Sequence, residues 1–179
     1  MPQSEDPEEQ LASFLAKYTP EIASRAKAIR ARMRILYPTA LELVYDNYNA
    51  LAIGYGPTEK SSEAIFSIAL FPRWVSLFFL QAAGLLDPDK LLRGSGSVAR
   101  HVVLPSADAL GLPAIQALMR EAQATAKAAF NPNGTHRLII KAISEKQKPR
   151  RPAATSAPRP ASAKSRNAGS KPTERTRKP

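Results

Sequence analysis

The connections between the apolar segments are what most constrain this fold. From residue 41 to residue 80 the chain runs through four short stretches rich in aliphatic and aromatic side chains: Leu41 to Tyr45, Ala50 to Tyr55, Ala64 to Phe71 and Trp74 to Leu80. Such runs, bounded by turn residues, read as β-strands. "DNYN", from Asp46, turns the first pair, and Pro72-Arg73 joins the third to the fourth. A parallel crossover needs about a dozen residues or more, so neighbours joined this closely must be antiparallel. A fifth run, Arg100 to Leu104, extends the meander, and Arg137 to Ile143 is a weaker candidate for an edge strand.

Around the strands the period is helical. Asp6-Pro7, Thr19-Pro20 and Asp87-Pro88 each set a capping side chain before a proline at the first helical position, where the missing N–H costs nothing. After Thr19, the residues Ile22, Ala26, Ile29, Met33 and Leu36 recur every three or four positions to about Tyr37, where Pro38 follows. Pro113 to Phe130 repeats the pattern. The fold class is therefore α+β: an antiparallel meander of about five strands packed against N-terminal and C-terminal helices.

Charge divides the chain. The net charge is +11, but residues 1–143 hold fifteen Lys or Arg against thirteen acids, while 144–179 hold eleven against two. The second segment has no apolar residue larger than alanine, so nothing in it offsets the entropy of ordering a chain. The expectation is a domain over 1–143 with a disordered basic tail over 144–179, and a chain cut after Ile143 that still folds.

Composition narrows the chemistry. With no cysteine there is no disulfide, no thiolate nucleophile and no zinc site built on sulfur. The acidic N-terminus lacks the features of a signal peptide, and no apolar run is long enough to span a bilayer, so the expected location is the cytoplasm, with no membrane partner. No Walker loop, nucleophile elbow or metal-ligand spacing is present. The reading is a non-catalytic binding protein with no cofactor.

Two places suit a small or anionic ligand. Gly94 and Gly96 form a Gly-x-Gly turn whose N–H groups can face an anion, with Arg100 close by, although two glycines between a helix and a strand also make an ordinary turn. Tyr45, Asp46 and Tyr48 are polar enough for the mouth of a pocket and equally suited to a turn. Nucleic acid is the other partner class: a non-specific contact through the tail, with Arg150 and Arg151, and through the row Lys27, Arg30 and Arg34 on the second helix, read as a solvent face opposite the apolar stripe.

The run "LFPRWVSLFFLQAAGLLDPDKLLRGSGSVARHVVL", with "LVYDNYNALAIGYGP" before it, resembles the YdhG-like domain family, a bacterial group of unknown function. The likeness covers about Ile22 to Phe130, and its most specific part is a strand followed by Asp-Pro, Leu-Leu, Gly-x-Gly and Arg-His. The resemblance implies a small α+β domain, and some members are described as frataxin-like iron chaperones, so it also implies metal handling.

Overall fold

A computed structural model describes residues 6–154. Helices α1 (Pro7–Ala16) and α2 (Pro20–Leu36) open the chain, each capped as the Asp-Pro and Thr-Pro pairs dictate: Asp6 accepts from the Glu8 N–H and Thr19 from that of Ile22. The meander follows as β1 (Leu41–Asp46), β2 (Leu51–Gly56), β3 (Phe66–Leu70), β4 (Val75–Phe79) and β5 (Arg100–Leu104). Consecutive strands are antiparallel neighbours, as the short β1–β2 and β3–β4 connections require; β4 and β5 pair antiparallel across the longer segment 80–99. Helix α3 (Pro113–Ala124) then leads to β6 (Leu138–Ile143), which lies parallel to β1 at the far edge.

The sheet therefore has six strands rather than five, in the order β5-β4-β3-β2-β1-β6, and it includes a parallel pair. The parallel pair arises because the chain leaves β5 at one edge and crosses through α3 before it pairs again. A bulge between Val44 and Tyr45 lets Lys141 stand outside the ladder.

Two further readings are corrected. No helix follows Asp87-Pro88. Lys90 is left-handed at φ 53° and Gly94 at φ 106°, and Arg93 makes a two-bond bridge to His101, which demands extended backbone. Asp87 still caps, but its carboxylate takes the N–H groups of Leu91 and Leu92 in a loop. The domain boundary read at Ile143 also falls short. The Ser144 N–H bonds the Asp46 carbonyl, the Lys148 N–H bonds the Tyr48 carbonyl, and Arg150 is 5% exposed. Ser144 to Arg151 are a strap across the end of β1; the rest of the expected tail, 155–179, lies outside the described residues.

All three helices lie on one face of the sheet. Val44, Ile53, Phe66, Ile68 and Leu77 point toward them and join Leu11, Ile29, Met33 and Met119 in one apolar core. Tyr18, at the α1–α2 junction, is buried there; its hydroxyl donates to the Leu70 carbonyl and accepts from the Leu51 N–H, both at 3.0 Å. Among the described residues, the other face of the sheet carries no helix.

Candidate ligand-binding face

Alternation along each strand fixes what the open face displays. Across β1 to β5 two rows stand side by side: Leu43, Gly54, Ser67, Phe78 and His101, then Tyr45, Ala52, Ala69, Ser76 and Val103. The middle of both rows is small. Ala52, Ser67 and Ala69 thus form the floor of a hollow of about 640 Å³, walled by Tyr48, Phe71, Phe78 and Leu80 and edged by Asn47, Asn49 and Ser144. That volume lies within the range of small-molecule sites.

The rim is chemically uneven. At the β1–β2 turn the hollow meets amide groups and the half-exposed Tyr48 ring, over which the Lys148 ammonium lies 5.3 Å from the centroid. At the other side Phe78 stacks on His101 with ring centroids 4.8 Å apart. Burial, and after it the charge of Arg93, lowers the His101 pKa, so the stacked imidazole is neutral at pH 7. The arrangement offers an apolar floor, flat aromatic walls and one end able to bind an anionic or polar group.

The sequence-predicted residues separate. Tyr45 faces the open side, next to Ala52, and Tyr48 lines the hollow. Asp46 is not at a mouth. It is 1% exposed on the helix side of β1, where Lys17 Nζ lies 2.6 Å from Oδ2 and Arg150 Nη2 2.8 Å from Oδ1. Arg100 is spent on the turn, donating to the carbonyls of Gly96 at 2.6 Å and Gly94 at 2.5 Å. Carbonyls, rather than N–H groups, therefore meet the only cation that the turn was expected to offer an anion, and the anion site read at Gly94 and Gly96 is corrected to an ordinary turn. A second cavity of about 540 Å³ lies beside β5, lined by Leu91, Arg93, Val103, Ala114 and Ile115 among others, but Gly94 and Arg100 do not line it.

The basic residues divide in the same way. Lys27 is exposed. Arg30 is no solvent cation: its guanidinium holds Glu42, which is fully buried on β1, at 2.6 Å, and Glu8 at 2.7 Å. The helical angle explains this, since at about 100° per residue Arg30 lies on the flank of the apolar stripe and not opposite it. Arg34 sits 3.8 Å from Glu8, and His136 Nε2 3.1 Å from Glu42. Arg150 is buried under the strap, bonded also to the Asn47 carbonyl and lying over the Tyr18 ring, so it cannot meet a phosphate. Exposed Arg151 donates to the carbonyls of Ala16 and Lys17, at the C-terminus of α1.

Among the described residues no group of three or more His, Asp or Glu side chains is placed to hold a metal ion, and no helix is long and apolar enough to cross a membrane. The Glu42 cluster has an acid-side consequence. Hydrogen bonds from Arg30 hold the Glu8 carboxyl below its ordinary value of 4.5, against the opposing pull of burial. A depressed folded-state pKa adds stability that is present above the unfolded value and lost as pH falls through the folded one. Glu8→Gln should therefore flatten the loss of melting temperature between about pH 5 and 3 relative to the parent chain. Melting curves across that range check it; equal slopes would refute it.

Ala52, Ser67, Ala69 and Lys148 were not singled out from the sequence. The signal was there in part: "LAIGYG" and "FSIAL" alternate large residues with Ala, Gly and Ser, which marks a strand with one hollow face. Compared with known proteins, the chain matches no family model, no curated protein and no solved structure.

Proposed function

We propose that this protein is a non-catalytic binding protein that holds a small, flat, mostly apolar molecule with an anionic end in the hollow on the open face of the sheet. The observation that carries this is the floor of Ala52, Ser67 and Ala69 between aromatic walls, one of which, Tyr48, carries the Lys148 ammonium over its ring. The walls supply area for an aromatic body, and the ammonium and the Asn side chains supply the polar end. No carboxylate or imidazole is among the residues lining the hollow, so it is suited to holding rather than to acid–base chemistry. The YdhG-like resemblance belongs to the same proposal, as a family of small α+β domains.

Anilinonaphthalene sulfonate, a flat aromatic anion, is a direct probe. It should bind the folded chain with one-to-one stoichiometry and enhanced emission. Ala69→Leu fills the hollow and should weaken that binding by about tenfold or more, a loss of about 1.4 kcal/mol. Ala114→Leu, in the cavity beside β5, should leave it unchanged. The reverse pattern would move the site to that cavity and sink the proposal.

A further inference from the structure

The chain leaves the described structure beside an exposed tryptophan. Trp74, in the β3–β4 turn, is 41% exposed, yet one side of its ring is stacked on Phe71 with centroids 5.2 Å apart and planes 25° from parallel. An indole backed in this way is a fixed flat platform. It lines a cleft of about 300 Å³ with Pro72, Arg73, Arg151, Pro152 and Ala153. Two of these residues are arginines, and no Asp or Glu is among the residues lining the cleft. Two residues beyond Ala153 begins 155–179, a segment with seven Lys or Arg against one acid.

We infer that this cleft binds single-stranded nucleic acid, with a base stacked on Trp74 and neighbouring phosphates met by Arg73 and by the positive charge of Arg151, whose Nε and Nη2 hold the carbonyls of Lys17 and Ala16. Stacking on an aromatic face beside a positive groove is how unpaired strands are held without sequence preference. A duplex keeps its base faces inside the stack and offers Trp74 nothing but backbone. An anionic membrane would favour a projecting apolar side chain, whereas here the ring is backed by Phe71 and lines a cleft with Pro72 and Pro152. The cleft shares no lining residue with the hollow, although Phe71 walls the hollow and backs the Trp74 ring, and Ala69→Leu fills the hollow without substituting Phe71 or Trp74, so each site is tested by its own variant.

Trp74 is the only tryptophan in the chain, so its own emission reads the contact. The full chain is titrated with a short oligothymidylate, with a duplex of equal charge, with inorganic polyphosphate and with anionic phosphatidylserine vesicles. Oligothymidylate should quench Trp74, and the other three should bind without comparable quenching. Trp74→Ala should weaken oligothymidylate binding by about tenfold at fixed salt, while Trp74→Phe, which keeps a stacking face, restores most of it. Arg73→Gln should lower the slope of log affinity against log salt by about one. Binding without quenching, equal quenching by duplex, polyphosphate or vesicles, unchanged affinity of Trp74→Ala, or no binding would each overturn the inference.

Discussion

Cutting the chain after Ile143 should lower its melting temperature by about 10 °C, whereas cutting after Ala154 should leave it within about 1 °C. The first cut removes Arg150 from Asp46 and leaves a carboxylate that is 1% exposed with Lys17 as its one cationic partner. It also removes Gln147, which donates to the Asp46 carbonyl and accepts from Lys17, and the Arg151 bonds at the end of α1. Breaking a buried pair from one side costs about 3–5 kcal/mol, and the cut also admits water, so about 3 kcal/mol is the appropriate magnitude. Arg150→Met separates the charge from the strap: it keeps an unbranched apolar stem without the guanidinium and should account for most of the loss. If both cuts melt together with the full chain, the strap contributes no stability and the domain ends at β6.

The second large effect belongs to Glu42. Its carboxylate accepts from Arg30 Nε at 2.9 Å and Nη2 at 2.6 Å, while the same guanidinium donates to Glu8 at 2.7 and 2.8 Å. Burial works against the charge of Arg30, and the bonds to Glu8 and Glu42 outweigh it, so its pKa is raised and the cation is permanent. Glu42→Ala leaves that cation part-buried with Glu8 alone and should cost about 3 kcal/mol. The double variant Arg30→Met with Glu42→Leu removes both charges and fills the volume, and should recover most of the loss, because buried pairs replaced together by apolar side chains are often close to neutral. Denaturant unfolding of the two single variants and the double variant closes the cycle. A cost under about 1 kcal/mol for Glu42→Ala would show that the pair behaves as a surface contact.

What was legible in the sequence is what is decided locally. The Asp-Pro and Thr-Pro caps placed α1 and α2, and Pro113 placed the start of α3, because caps and fixed φ act within one turn. The meander followed from connection length. The Asp87-Pro88 signal misled because an Asp side chain satisfies N–H groups in a loop as well as in a helix, and the choice was made at a distance by the bridge of Arg93 to His101. The strap was missed for a different reason. Disorder was read from the lack of apolar side chains, whereas what Asp46 requires of the segment is one cation at Arg150, and no composition average registers a single pairing. The hollow depends on which strands are neighbours, so its floor was visible only as alternation in β2 and β3.

Strand β1 also has a place in time. Its contacts with β2 join residues as close as Asp46 and Leu51, but its two buried carboxylates find partners 94 residues away at His136 and 104 residues away at Arg150. Closing loops of that length before their contacts form is slow, so the meander assembles first and β6 with the strap arrives last. Until then Glu42 and Asp46 have only their nearer partners, Arg30 and Lys17. The same order runs backward under native conditions. Amides of Ile139 and Ile140 should exchange through a partial opening well before those of Ile68 and Leu70, and equal protection across the sheet would mean that the two ends of the chain open with its core.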